Sequence, residues 1–440
     1  MTEDATFNRR SFLGAAMSLA GASVLPGQAR ANTKARAKGG PFLWGASTAA
    51  YQIEGNCVNA DFWVMEHAKP TLFAETSGDA CDHYHRYADD FEIAHKLGFN
   101  AHRLSIEWSR IEPAPGQFSQ AVLDHYERVL ESCHAHGLAP FVTYHHFTAP
   151  RWFAARGGFE TPDSPDIFAR FAEKATARLG HLIHTAATFN EPNLLKSVLW
   201  GKDINVEYPI ARAMTAASAK ACGSDRFATF YTGDQDLMQA NYIAAHDAAM
   251  AAMKSGPGRF PVGVTLVVSE EDGVGPGNKV EDRKRDSYAA WMEVAGRSDF
   301  VGVQTYSRNR TGAKGDLGPE AGVELTQMGY EFRPQALEAA IRYAAEQSGV
   351  PVIVTENGVA TEDDARRIAF IDGAVEGVAN CIADGIDVRG YLHWSLLDNF
   401  EWISGYRPKF GLVAVDRETF ERKPKPSAFH LGQIARSGRL

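Results

Sequence analysis

Eight short apolar runs separated by segments of helical periodicity constrain this 440-residue chain more than any other feature. The runs occupy residues 42–48, 100–106, 139–146, 184–190, 260–268, 299–306, 351–358 and 388–396. Between them, Tyr84 to Leu97, Ala121 to His136 and Ile167 to Leu179 carry apolar side chains at helical spacing on polar backgrounds. Strands alternating with helices imply a parallel sheet. Eight repeats of the unit predict an α/β fold of TIM-barrel type, a closed (β/α)8 barrel in a single domain over residues 41–440. An open doubly wound sheet is the competing arrangement, yet no G-x-G-x-x-G or phosphate-binding loop follows any of the runs. Segments 203–230 and 307–330, with Gly, Asp, Pro and Thr but no clear period, read as long loops over the carboxyl face of the barrel.

A hydrophobic content of 45% and a charged content of 22% describe a globular chain with enough apolar residues for a large core. The formal net charge of -9 excludes the basic face that a nucleic-acid or anionic-membrane partner requires, so a neutral small molecule fits better. At the N-terminus, Asn8-Arg9-Arg10-Ser11-Phe12-Leu13-Gly14 precedes a weakly apolar stretch and Ala29-Arg30-Ala31. That order reads as a twin-arginine export signal over residues 1–31, followed by a flexible segment at 32–40, and predicts a periplasmic or secreted protein. The apolar stretch is too short to span a bilayer. Cys57, Cys81, Cys133, Cys222 and Cys381 show no C-x-x-C spacing, which predicts neither a zinc site nor a disulfide framework.

In a barrel of this type the residues that close each strand build the site. The first run leads to Tyr51-Gln52-Ile53-Glu54-Gly55, the second carries Arg103, the third ends at Tyr144-His145-His146 and the fourth at Asn190-Glu191. The sixth ends at Tyr306, the seventh at Glu356, and the eighth at Trp394, ahead of Asp398-Asn399-Phe400-Glu401-Trp402. Amides and carboxylates can accept and donate in pairs to hydroxyls, while an indole packs on the C–H face of a pyranose. Such a rim suits a sugar, and two glutamates delivered by separate strands suit glycosidic cleavage. His83 and His85 with Asp82, and His134 with His136, are better read as ordinary histidines than as metal ligands. Trp108, Trp152 and Trp200 read as packing or loop residues, and Glu107 as one half of a structural ion pair with a nearby arginine. No metal or other cofactor is expected.

Four motifs carry a family resemblance over residues 41 to 425. Phe42-Leu43-Trp44-Gly45-Ala46-Ser47-Thr48-Ala49-Ala50-Tyr51-Gln52-Ile53-Glu54-Gly55 is similar to the N-terminal signature of glycoside hydrolase family 1, the β-glucosidase family. Thr188-Phe189-Asn190-Glu191-Pro192 resembles its acid/base motif, Thr355-Glu356-Asn357-Gly358 its nucleophile motif, and His393 to Trp402 its sugar-binding segment. The resemblance implies a retaining β-glycosidase, most simply a β-glucosidase, with Glu356 as nucleophile and Glu191 as acid/base. It also implies that Arg103 and Tyr306 support the nucleophile and that Asn190 meets the sugar 2-hydroxyl. Gln52, His145, Glu401 and Trp402 are implied to bind the remaining hydroxyls, with Trp394 beneath the ring and Phe410 walling the pocket. Three departures stand out: His146 where tryptophan is common, Gln304-Thr305 in place of an Asn-Tyr pair, and a short segment between Gly55 and Trp63. Galactose, fucose or mannose specificity, transglycosylation, and a sugar-binding protein without catalysis remain the alternatives.

Overall fold

The computed structural model describes residues 40–202 and 207–438. The expected leader and the segment behind it lie outside the described residues, Gly40 excepted. In chain order the strands are β1 (Leu43–Ser47), β2 (Ala101–Ser105), β3 (Ala139–His145), β4 (Thr185–Asn190), β5 (Val262–Val267), β6 (Glu270–Gly273), β7 (Val301–Thr305), β8 (Arg308–Gly312), β9 (Gly315–Asp316), β10 (Val352–Asn357), β11 (Val388–Trp394), β12 (Val413–Val415) and β13 (Arg422–Pro424). Eight of them close a parallel barrel in the order β1-β2-β3-β4-β5-β7-β10-β11, with β11 returning to β1. Each barrel strand lies inside one of the eight runs read from the sequence.

The strands are apolar nearly throughout because both of their faces are covered. Leu43, Ala101, Phe141, Ala187, Phe300, Ile353 and Leu392 form one buried cluster contributed by seven of the barrel segments. The larger core lies between strands and helices, where Ser164–Leu179 buries Ile167, Phe168, Phe171, Ala172 and Ala175 and packs on helix Gln235–Ser255. That second helix starts where the Asp234 carboxylate accepts hydrogen bonds from the backbone N–H groups of Asp236 and Leu237, which satisfies two otherwise unpaired donors. The helical periods read at Tyr84–Leu97, Ala121–His136 and Ile167–Leu179 are found as helices His83–Leu97, Gln120–Ala135 and Ser164–Leu179.

Both presumptive loops hold regular structure. Residues 209–221 form helix Pro209–Ala221, which buries Ala211, Met214, Ser218 and Ala219 and packs on helix Asp61–His67. Its buried stripe consists mostly of small residues, so the apolar period is faint. In 307–330, β8 and β9 join β6 in a three-stranded sheet, β8 parallel to β6 and antiparallel to β9. These strands are polar and half-buried and therefore show no apolar run. Among the described residues no helix is long and apolar enough to cross a membrane. All five cysteines are unpaired thiols, four of them buried.

Candidate active site

The centre of the site is set by a buried arginine. Arg103, inward-facing on β2, donates through Nη1 to Glu356 Oε1 at 2.5 Å, through Nη2 to Asn190 Oδ1 at 2.6 Å and through Nε to Thr143 Oγ1 at 3.0 Å. A fully buried guanidinium needs a carboxylate and several acceptors to offset its desolvation, and three other strands of the barrel, β3, β4 and β10, supply them across its interior. Glu356 closes β10. Its Oε1 also accepts from Gln304 Nε2 at 2.9 Å, and its Oε2 accepts from Tyr306 Oη at 2.6 Å. The next glycine is required by space: a Cβ on Gly358 would stand 2.0 Å from the Trp394 carbonyl oxygen, so the nucleophile strand and β11 approach at a distance only glycine allows. Gly358 thus serves strand packing rather than a left-handed turn, since its φ is not positive.

Glu191 lies just past β4 with φ 43°, a left-handed conformation, and Phe147 (φ 69°) and Trp402 (φ 55°) on the same cavity wall share it. Residues other than glycine are held there at a cost of about 1–3 kcal/mol each, and such strain concentrates at functional sites. Among the described residues no side-chain hydrogen bond reaches the Glu191 carboxyl. Burial pushes its pKa well up, the charge of Glu356 raises it further, and Arg103 opposes both. Burial also raises Glu356, but Arg103 and Tyr306 pull it back. The pair therefore shares its titration, with the proton favoured on Glu191 and the charge on Glu356.

Asn190 is oriented by three donors. Arg103, Gln304 (2.9 Å) and Thr265 (3.2 Å) all converge on Oδ1, which identifies the acceptor end of the amide and leaves its NH2 group for the cavity. The cavity itself measures about 470 Å³, within the range of small-molecule sites, and Glu191, Glu356, Asn190, Tyr306, His146 and Trp394 all line it. Glu401, Trp402 and Phe410 line it too. The His146 ring lies parallel to two indoles, 5.9 Å from Trp394 and 5.9 Å from Trp402. Burial, with Arg103 nearby, drives its pKa well down, so this imidazole is neutral. Glu401 accepts from Trp394 Nε1 at 3.3 Å, and burial pushes its carboxyl up to about 8.

Two residues expected in the pocket stand elsewhere. His145 is enclosed by the edges of Phe159, Phe168, Phe189 and Tyr242, and burial lowers its pKa to about 3. Strict alternation from Phe141 and Thr143 would turn His145 inward, but Tyr144, bonded to Thr176 at 2.7 Å, and His145 both pack on helix Ser164–Leu179, and His146, the first residue past β3, faces the cavity instead. Gln52 is fully buried and donates to Asn399 Oδ1 and the Phe400 carbonyl, both at 2.9 Å, without reaching the cavity wall. Its Oε1 has no partner, and the same holds for His146 Nδ1 and Gln304 Oε1. The ion pair expected of Glu107 also falls elsewhere: Arg110 pairs with Glu54 at 2.9 Å, while Glu107 caps a short helix through Ser109 N and accepts from Thr148. His83 is bound to Asp90 at 2.8 Å, and no group of metal-ligating side chains occurs among the described residues. Trp108 is buried and Trp200 donates to Asp286, as packing and loop residues.

Sequence reading missed the donor role of Gln304 and the whole outer wall, which includes Leu194, Val198, Leu199, Tyr231 and Tyr330. Position alone could have found Gln304, two residues before Tyr306 and on the same face of its strand. A model of glycosyl hydrolase family 1 matches residues 38–255 and 294–439 of the chain. The chain belongs to glycosyl hydrolase family 1. Among family relatives, the thermostable β-glucosidase B of Thermobispora bispora is 31% identical over 476 residues, covering 95% of this chain and 95% of the relative. The 1,4-β-D-glucan glucohydrolase of Thermotoga neapolitana is 30% identical over 450 residues, with 91% and 98% covered. The apo structure of a β-glucosidase designated 1317 superimposes with a TM-score of 0.88 at 54% identity over 91% of this chain and 99% of that one. The family match omits 256–293, the stretch that holds β5, β6 and part of the outer wall.

Proposed function

We propose that this family 1 chain is a retaining β-glucosidase, with Glu356 as nucleophile and Glu191 as acid/base. One observation carries the assignment: three donors converge on the Glu356 carboxylate, while the Glu191 carboxyl in the same cavity receives none. The first is built to stay ionised and attack; the second is built to hold and release a proton. In the first step a Glu356 oxygen bonds to the anomeric carbon as the glycosidic C–O bond breaks, and the Glu191 proton passes to the leaving oxygen. Esterification removes the charge beside Glu191 and lowers its pKa, so it next takes a proton from water as that water attacks the glycosyl ester. Glucose leaves with its β configuration and both carboxyls return to their starting states.

The imidazole of His146, the free amide of Asn190 and the carboxyl of Glu401 supply the mixture of donors and acceptors that sugar hydroxyls take. The relatives named β-glucosidases support glucose as the terminal sugar. The test compares wild type with Glu356→Ala and Glu191→Ala on 4-nitrophenyl β-glucoside and its galacto, fuco and manno analogues, with added azide. Turnover is expected to be highest for the glucoside. Azide should rescue Glu356→Ala to an α-glucosyl azide and Glu191→Ala to a β-glucosyl azide. A folded wild-type protein that hydrolyses none of the four would refute the proposal.

We further propose export through the twin-arginine route, on the strength of the Arg9-Arg10 motif, the apolar stretch and the Ala29-Arg30-Ala31 site. Replacing both arginines by lysine should leave the protein in the cytoplasm of an expressing bacterium; undiminished export would contradict it.

A further inference from the structure

The Glu191 carboxyl takes no side-chain hydrogen bond among the described residues, so its aim is set by the backbone that carries it. That backbone leaves the barrel ladder abruptly. Asn190 is the last β4 residue in register with β5, opposite Thr265, and Glu191 N–H still donates to the Thr265 carbonyl at 2.8 Å. At the next rung a continuing strand would accept from Val267 N–H through the Glu191 carbonyl. The left-handed turn at Glu191 (φ 43°) swings that carbonyl away, and it accepts from Leu194 N–H at 2.9 Å instead. Val267, two residues on from Thr265, presents its N–H and C=O to the side that β4 has vacated. Val267 is buried, and buried backbone groups need partners.

Asn193 fills the rung. Its Oδ1 accepts from Val267 N–H at 3.2 Å and its Nδ2 donates to the Val267 carbonyl at 2.9 Å, so one side-chain amide stands in for a missing peptide unit. The residue is fully buried and directly precedes helix Leu194–Val198, a position where asparagine ordinarily caps the helix; here its side chain makes no cap bond. Nδ2 also reaches the Ser287 carbonyl at 3.3 Å, on the π-helical turn Arg285–Ala289. From the same region Ser287 Oγ donates to the Lys196 carbonyl at 3.3 Å and Arg283 to the Ser197 carbonyl at 3.0 Å, which satisfies the end of the short helix. Val267, Arg283 and Ser287 all lie in 256–293, so the clamp on the turn is closed by the stretch that the family match omits.

Building on the assignment of Glu191 as acid/base, we propose that Asn193 is its positioning residue: the amide pins the left-handed turn to β5 and so holds the carboxyl toward the glycosidic oxygen. Asn193 does not line the cavity and acts through Glu191. Its loss should therefore impair proton transfer and little else. The test is Asn193→Ala on β-glucosides whose leaving groups differ in basicity. A 2,4-dinitrophenolate departs without a proton, whereas an alkoxide leaves only when protonated. The ratio kcat/KM reports the first step. It should stay within about threefold of wild type for the dinitrophenyl substrate and fall about 100-fold for methyl β-glucoside, within the range of about 10²–10⁴ that a placed general acid supplies. With the dinitrophenyl substrate kcat and KM should fall together, since the second step still needs Glu191 as base. On 4-nitrophenyl β-glucoside Asn193→Ala should cost about tenfold in the wild-type background and less than about twofold in Glu191→Ala, because a residue that works through the acid has nothing left to position. Should the alanine variant not fold, Asn193→Asp is read in the same way: it matches the amide in shape but, ionised, cannot donate to the Val267 and Ser287 carbonyls. Equal losses for all leaving groups, or the same loss with and without Glu191, would overturn the inference and leave the β-glucosidase assignment intact. A folded wild type that hydrolyses none of the glucosides would remove the assignment of Glu191, and this inference with it.

Discussion

Replacing Tyr306 by phenylalanine removes one hydroxyl and keeps the ring. In the native site that hydroxyl donates at 2.6 Å to Glu356 Oε2, the oxygen that Arg103 and Gln304 leave free. A hydrogen bond to a charged group contributes about 1.5–3 kcal/mol. Here it favours the ionised form of the nucleophile, so its loss should raise the pKa of Glu356 by about one to two units, at roughly 1.4 kcal/mol per unit. The sign follows directly. Glu356 must be ionised to attack, so the acidic limb of the pH profile moves upward by that amount. On the plateau the same loss should lower kcat/KM by about 10- to 100-fold, because the bond also positions the attacking carboxylate. The ring edge should keep its place against Phe410, 5.7 Å away, so the pocket retains its shape. The assay is kcat/KM for 4-nitrophenyl β-glucoside across pH, with thermal unfolding of the same preparations. An acidic limb that stays in place, with a rate within twofold of wild type, would refute the reasoning.

Further outcomes follow from the same geometry. The wild-type profile should be bell-shaped with both limbs above the ordinary glutamate range, since burial raises Glu356 and raises Glu191 further; activity falls as pH drops through the lower macroscopic pKa of the pair and as it climbs through the upper. A limb at or below pH 4.5 on the acidic side would contradict it. Gln304→Leu deletes the donations to Glu356 and Asn190 together and should cost about 1–3 kcal/mol in transition-state stabilisation, read as kcat/KM with unchanged far-ultraviolet circular dichroism; unaltered kinetics would count against its positioning role. The two adjacent histidines should separate cleanly. His146→Ala lowers kcat/KM about tenfold or more with little change in unfolding temperature, whereas His145→Ala opens a cavity among aromatic rings and costs about 2 kcal/mol or more of stability while the folded enzyme stays active. The reverse pattern would return His145 to the site.

Much of this was legible in the sequence because it depends on local order. A strand buried on both faces needs an uninterrupted apolar run, and all eight barrel strands fall within such runs. The carboxyl-end rule then located Glu356, Glu191, Arg103, Asn190 and Tyr306, which the fold brings together around one guanidinium. What stayed hidden depends on which way a side chain faces. His145 and His146 are chemically identical neighbours, and only a break in the strand's alternation at Tyr144–His145, which no residue type announces, sends the first to the Phe159–Phe168–Phe189 cluster and the second to the cavity. Helix Pro209–Ala221 escaped notice because Ala and Ser fill most of its buried face, and the sheet β6-β8-β9 because its strands are polar. The arginine near Glu107 is held by Glu54 instead, since separation along the chain does not tell which of two carboxylates a side chain will reach.

The most direct test of the central claim is to trap the covalent intermediate. A 2-deoxy-2-fluoro-β-glucosyl fluoride slows the second step more than the first, so the ester accumulates and can be located by peptide mass spectrometry. The mechanism predicts one fluoroglucosyl unit per chain, attached to the peptide that carries Glu356 and absent from Glu356→Ala. Label on Glu191 or elsewhere, or steady turnover of the probe with inverted product and no ester, would show that Glu356 is not the nucleophile.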